Sequence, residues 1–507
     1  MRSYVTILVI LFIALSVSCR KDFDYASSDG RLEFSLDTVY LDTIFTNISS
    51  STRTLKVYNR NRDDVIIPSI ALAKGLNSKY RLNVDGVAGK LFQNISLLAQ
   101  DSLFVFIETT VDSSSTQNNS FIYSDVIQFD SGAQEQQVHL ITNVKDAEFL
   151  FPESYTNGTK EMVSIGFDKN GNEVKAEGFT LSGDLLNFNN SKPYVIYGYA
   201  VVPSGESLKV ASGSRIHFHK NSGIVVASDA SIIIEGSLSV DQTILEKEVI
   251  FEGDRLEQEF VNIPGQWGGL RLLEGSTSDI NYLTVKNATV GILAHGNNQM
   301  QSPTLFLKNT QIYNSLSVNL WSKTAYIQAE NVVLGNAGDT SLYCNLGGNY
   351  NFIHCTIANY WSNGFRSGKT LEIDNFLAST SADLTQANFI NSIIDGNSFI
   401  ELALRSNELN NFNFQFKNCM LKFRDDSDAF SNHQLYNFDD QNRYINLIVN
   451  ANADFEDASK NIFKIENSSA AIGQADQAES QFIPLDILGV DRTPSSDLGA
   501  YQSTKAN

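Results

Sequence analysis

Six short segments of this chain align without gaps: YLTVKN from Tyr282, NTQIYN from Asn309, NVVLGN from Asn331, HCTIAN from His354, NSIIDG from Asn391 and, more loosely, NCMLKF from Asn418. The fourth place is always aliphatic: Val285, Ile312, Leu334, Ile357, Ile394 and Leu421. The first four segments start 27, 22 and 23 residues apart and end in Asn287, Asn314, Asn336 and Asn359. A period of this size marks a solenoid, in which one repeat cannot bury its own apolar face and neighbours must stack. Adjacent coils of a parallel β-helix lie about 4.8 Å apart, so equivalent residues sit one above another. The aliphatic places then form one core column. Asparagine tolerates the left-handed backbone of a corner and can hydrogen-bond to its counterpart in the next coil, which accounts for its recurrence.

The solenoid texture starts near Pro193, where PSGESLKVASGSRIHFHKNSGIVVASDASIIIEGSLSV carries brief apolar runs punctuated by Gly, Ser and Asn. The stretch PGQWGGLRLLEGSTSDINYLTVKNATVGI, with Trp267 entering a coil, resembles right-handed β-helix proteins of the pectin-lyase-like superfamily. The closing AIGQADQAESQFIPLDILGVDRTPSSDLGAYQ is similar to the ends of secreted bacterial members. The resemblance covers roughly residues 193–507 and implies a right-handed parallel β-helix over 193–424. Solenoid ends expose unpaired strand edges and need covers. A C-terminal cap is therefore expected at 425–507, where the repeat fades, and a bridge at 147–192. Trp267 is assigned to packing.

Residues 31–146 show a different rhythm. Leu32, Phe34 and Leu36 alternate with polar residues, as do Leu55 and Val57, Leu82 and Val84, and Leu103, Val105 and Ile107. Period-two alternation in short runs predicts an antiparallel sandwich. About seven such runs fit an immunoglobulin-like layout without its Cys-Trp-Cys core. FSLDTVYLDTIF resembles the Ig-like modules that open surface lipoproteins of Bacteroidota, and the triplets at Asp37, Asp42 and Asp101 resemble an O-glycosylation motif used there.

The N-terminus sets the compartment. Arg2 precedes an apolar run from Val5 to Val17 that ends in ALSVSC. Such a run is short for a membrane span and suits a signal peptide, residues 1–18. The small residues before Cys19 resemble a bacterial lipobox, although Ser16 stands where leucine is usual. This resemblance implies lipidation of Cys19, a tether at 19–30 and attachment to the outer membrane, on the cell surface or the periplasmic face. Lys21-Asp22 partly resembles a surface-export signal, with Phe23 interrupting its acidic run. The formal net charge of −20 argues against nucleic acid as a partner. Cys344, Cys355 and Cys419 have no metal-ligand spacing and read as small buried residues, with one disulfide left open.

No reaction is legible. A lyase of this shape needs a base and a group that neutralises a uronate; a hydrolase needs two or three carboxylates on neighbouring coils. The fifth places of the repeat are Lys286, Tyr313, Gly335, Ala358, Asp395 and Lys422, with no adjacent acids and an expected surface ion pair between Asp395 and Lys422. Glu330, Asp339, Glu372, Asp374 and Glu401 cannot be placed by alignment. His217 and His219 could share a strand face, but two such residues make no zinc site, and no metal or cofactor is expected. His354 stands in the asparagine column, which suggests a ladder role. Among the aromatics, Trp321, Tyr360 and Trp361 are the candidates for stacking on sugar rings, against a core-filling role. The expected function is a non-catalytic envelope lipoprotein whose β-helix presents a binding face to glycan or protein. The alternatives are an anchored polysaccharide lyase or glycoside hydrolase, and a structural spacer. If Cys19 carries lipid, Cys19→Ala should release the protein from membranes or leave it as precursor; unchanged partitioning and gel mobility would refute lipidation.

Overall fold

The computed structural model describes residues 25–112, 120–168, 171–297, 301–378 and 380–503; the leader and Cys19 lie outside them. The chain is nearly all β and divides into two compact units, Met1–Asp146 and Ala147–Asn507.

The first unit is two sheets over one core. One joins Glu33–Phe34, Arg53–Tyr58, Ser102–Thr109, Tyr80–Val84 and Val87–Gly89; the other is built on Val65–Leu72, Ser120–Phe129, Gln136–Lys145 and Thr38–Phe45. The alternating Leu55, Val57, Leu82, Val84, Val105 and Ile107 of the first sheet meet Ile67, Ile70, Ile127, Phe129, Val138 and Leu140 of the second. The expectation of a purely antiparallel unit needs correction. Thr38–Phe45 pairs parallel to Gln136–Lys145, and Ala26–Ser27 parallel to Val65–Leu72. Alternation specifies which face a strand buries, not the direction of its partner.

In the second unit each turn of chain adds one strand to each of three sheets. Val290–His295 belongs to sheet 1, Leu305–Lys308 to sheet 2 and Gln311–Ser315 to sheet 3; Val318–Lys323 then returns to sheet 1, parallel to Val290–His295. Eleven strands in sheet 3 and ten in each of the others are placed this way among the described residues. Nearly all pairings are parallel; the hairpin Met162–Phe167 with Glu173–Thr180, at the start of sheet 1, is antiparallel. The repeat's fourth places pair rung to rung in sheet 3: Val285 with Ile312, then Leu334, Ile357, Ile394 and Leu421. All six are fully buried in one continuous core. Each such side chain contributes about 1.5–3 kcal/mol relative to exposure.

The corner between sheets 2 and 3 explains the asparagines. Asn309, Asn331, His354, Asn391 and Asn418 all have left-handed backbone, with φ between 47° and 53°. Asn331 Nδ2 donates to Asn309 Oδ1 at 3.0 Å, and His354 Nε2 lies 3.0 Å from Asn391 Nδ2, so the histidine does occupy the ladder. At the repeat's sixth place Asn314 donates to Asn287 Oδ1 at 2.6 Å, but Asn336 turns instead to Asn461.

Both flanking segments depart from the sequence expectation. Within the stretch read as a bridge, Glu148–Leu150, Glu173–Thr180 and Asn187–Phe188 already start the three sheets, and Phe179, Leu181, Leu186 and Phe188 bury against the first rungs. Within the expected cap, Tyr444–Ile445 and Ile448–Val449 are still rungs. Phe430, Tyr436 and Phe438 pack with Phe423 and Tyr444 at that end of the core. Residues 450–503 do something else: they run back across the outer face of sheet 3. The Phe463 ring lies where a side chain on Gly335 would project, the Ala500 N–H donates to Thr356 Oγ1 at 3.0 Å, and Tyr501 Oη meets Gln311 at 3.2 Å. The buried Arg492 guanidinium donates to Asn331 Oδ1 at 3.0 Å. The reason is apolar: Val333, Ala358, Ile393 and Met420 point outward and need cover.

Leu334→Asp would place an unpaired charge in the column and should cost several kcal/mol, enough to abolish folding of this unit. Asn351→Asp, on the outer face of sheet 2, should change stability by less than about 0.5 kcal/mol. Circular dichroism with thermal unfolding on both variants checks the contrast.

Candidate functional site

Sheet 3 is occupied by the chain's own C-terminal segment, which leaves the outer faces of sheets 1 and 2. On sheet 2 one outward column carries Gln328, Asn351, Asn388 and Gln415 on successive rungs. On sheet 1 the outward column is chemically richer: Arg271, Leu293, Trp321, Tyr343 and Glu372, on adjacent rungs. Beside it run His295, Lys323 and Asn345, and further along Asp374 pairs with Arg405. Alternation along each strand directs all these side chains outward while Leu320, Leu342, Leu371 and Ile373 fill the core.

Trp321 and Tyr343 stack with centroids 5.9 Å apart and an interplanar angle of 20°. Ladder stacking takes up one face of each ring, so the pair presents a ridge rather than two open platforms. The indole Nε1 of Trp321 is buried without a hydrogen-bond partner. Tyr343 donates its hydroxyl to Asp374 Oδ2 at 2.8 Å, and Asn345 Nδ2 donates to Asp374 Oδ1 at 2.8 Å. Arg405 reaches Glu372 at 2.6 Å and Asp374 at 3.5 Å. Burial, followed by the adjoining carboxylates, governs both partners of this network. The Tyr343 phenol is pushed far above its usual range, and Arg405 is driven up by Glu372 against the opposing effect of burial. At the other end, burial together with the cations of Lys323 and Arg271 pushes the His295 imidazole down to about 4. Neither Lys323 nor Arg271 has a carboxylate partner among the described residues.

The other sequence candidates fall elsewhere. Tyr360 lies on the covered side: its hydroxyl donates to Asp395 Oδ2 at 2.9 Å and its ring meets Phe455 edge-on. Trp361 is buried. Neither offers a free ring face, because the returning C-terminal segment and the coil's own packing occupy both positions. Asp395 is likewise no surface ion pair; it is buried and bonded to Tyr360. Trp267 packs in the core, stacked on Phe218 at 4.2 Å. His219 Nδ1 lies 2.7 Å from Asp254 and stacks on Tyr197, while His217 lies 3.6 Å from Glu252. Burial opposes the Glu252 charge, yet His217 and Lys286 hold its carboxyl below the ordinary range. The three cysteines are buried free thiols. Glu372 and Asp374 were unplaceable by alignment; their two-residue spacing, with Arg405 one rung on, is the signal that unites them.

No known family profile matches the chain, and no curated protein matches it. Among solved structures it is similar to a family 123 glycoside hydrolase from Clostridium perfringens, with 8% identity over 24% of this chain and a TM-score of 0.17. The chain spans 30% of that protein's length. A PapD-like domain of human CEP192 matches at 10% identity over 26% of this chain and 95% of that domain, with a TM-score of 0.16. The catalytic domain of a GH87 alpha-1,3-glucanase matches at 10% identity over 72% and 80% of the respective chains, also with a TM-score of 0.16. At these TM-scores none of the likenesses bears on function.

The folded-state value for His295 lies below the ordinary histidine value of about 6.5. Its contribution to stability is therefore complete above about pH 6.5 and is lost as pH falls toward 4, when the unfolded chain takes up the proton first. The loss should be about 2–3 kcal/mol. Denaturant titrations at pH 7 and pH 4.5 should show a smaller loss for His295→Gln than for the unsubstituted protein; equal losses would refute the assignment.

Proposed function

We propose that this is an envelope lipoprotein, cleaved after residue 18 and anchored through lipid on Cys19, whose second unit is a right-handed parallel β-helix that binds glycan without cleaving it. The first unit is then an Ig-like sandwich between tether and helix. Attachment at the outer membrane, facing the surface or the periplasm, follows from the lipobox resemblance.

The carrying observation is the outward column of sheet 1. An aromatic ridge and two cations without carboxylate partners among the described residues stand on one face that the C-terminal segment leaves free, with the Asn345 amide held beside them by Asp374. Rings with polar edges suit the mixed apolar and hydroxyl surface of a sugar chain. A rung spacing of about 4.8 Å repeats such contacts along an extended polymer.

A second reading, an anchored lyase or glycoside hydrolase, draws on Glu372 and Asp374 side by side. A general acid or base must be able to reach a substrate, whereas Arg405 engages both carboxylates and Asp374 also accepts from the Tyr343 hydroxyl and the Asn345 amide. This weighs toward binding.

Trp321→Ala should weaken retention on the preferred polysaccharide by about 0.5–1.5 kcal/mol. It should cost less stability than the about 3–5 kcal/mol of a fully buried tryptophan. Retention and thermal unfolding measured on the same full-length protein, across neutral and acidic polysaccharides, test this. Destabilisation without any change in retention would refute the ridge as a contact. Chain cleavage lost in Glu372→Gln would establish the enzyme instead.

A further inference from the structure

Around the corner from the sheet 1 face, where Lys323 gives way to Thr324 and sheet 2 begins at Tyr326, lies a cavity of about 290 Å³. Its walls include Gln301, Thr324, Tyr326, Gly348, Asn349 and Thr385. Its origin is a defect in the ladder. Gly348 pairs with Leu384 but Asn349 pairs with Gln386, so Thr385 is an extra residue that the neighbouring rung does not match. Such bulges redirect a side chain and interrupt pairing, and they recur beside binding sites. Gly348 is needed there: its φ is 121°, and a side chain would collide with the Tyr350 hydroxyl and the Ala325 carbonyl.

The lining has one chemical character. Among the described residues it contains amides, hydroxyls and a phenol beside Ala325 and Gly348, and no charged side chain. Asn349 Oδ1 is buried and accepts no hydrogen bond. A buried acceptor without a partner costs about 1–3 kcal/mol, which a donor on a ligand would recover. An apolar occupant would leave that oxygen unmet, and an ionic one would lose water without finding a counter-charge. The volume is at the small end of ligand pockets, about 300 Å³.

We propose that this corner cavity binds a single neutral, hydroxyl-rich sugar residue, with Asn349 accepting from a ring hydroxyl and Tyr326 forming an aromatic wall. The proposal deepens the glycan reading of sheet 1 and rests on it for the source of the residue: the end of a chain that lies along the adjoining ridge.

The test uses full-length protein in detergent and the free monosaccharides glucose, galactose, mannose and N-acetylglucosamine, with galacturonate as the charged counterpart, read by saturation-transfer NMR and calorimetry. At least one neutral sugar should bind more tightly than galacturonate. Asn349→Leu should weaken it at least about tenfold. Asn349→Asp keeps an acceptor at the same place and should retain binding to within about threefold. Trp321→Ala should weaken polymer retention, and in that background Asn349→Leu should still weaken free-sugar binding at least about tenfold. Absence of neutral-sugar binding, galacturonate binding as tight as the neutral sugars, or undiminished binding by Asn349→Leu at unchanged thermal stability would overturn the proposal. If polymer retention still depended on Trp321 in that event, the cavity alone would have failed and the sheet 1 reading would stand.

Discussion

The constraint on which the second unit depends is vertical registry. Parallel strands about 4.8 Å apart bring each residue over its counterpart in the coil below, so the chain must place the same kind of side chain at the same point of every turn. Aliphatic residues satisfy this in the core, from Val285 to Leu421. Asparagine satisfies it at the corner, where Asn331 and Asn309 share both a backbone conformation and a hydrogen bond. Outside, the same registry sets Trp321 on Tyr343 and places Glu372 and Asp374 within reach of Arg405. Scaffold and surface chemistry are thus products of one geometric rule applied to the two sides of each strand.

That rule also separates what could be read from the sequence from what could not. The core column and its corner were legible because the same period recurs and each aligned position faces one environment. The use of sheet 3 was only half legible. Val333, Ile393 and Met420 sit next to core positions and make the runs VVL, SII and CML apolar on both faces, a pattern that calls for cover on each side. Nothing local identifies the cover, because Tyr501 meets Gln311 across 190 residues.

The candidate site was less legible for a related reason. Trp321, Tyr360 and Trp361 carry similar composition cues, yet one lies on an open face, one beneath the returning segment and one is buried beside Gly338. Aromatic character does not distinguish these fates; position within the rung does. The coils after His354 lengthen, so alignment by the repeat loses Glu372 and Asp374 just where they matter. The corner cavity depends on a single unmatched residue, Thr385, which no periodicity announces. In the first unit, alternation identified the buried faces but not the parallel pairing of Thr38–Phe45 with a strand almost a hundred residues later.

The segment that returns over sheet 3 imposes an order on biogenesis. Coils of a solenoid can form by adding to neighbours already in place, and each addition closes only a short loop. The contacts of residues 450–503 are of another kind, spanning more than a hundred residues, and pairings so distant in sequence are slow to form. Rungs from Gln311 to Met420 are thus laid down with an apolar stripe facing water until residues 450–503 arrive. A folding chain would pass through this half-clad state on every attempt, and loss of residues 450–503 would make it permanent. The vulnerable interval is set by the arrival of residues 450–503, although the surface at risk lies on rungs formed well before them.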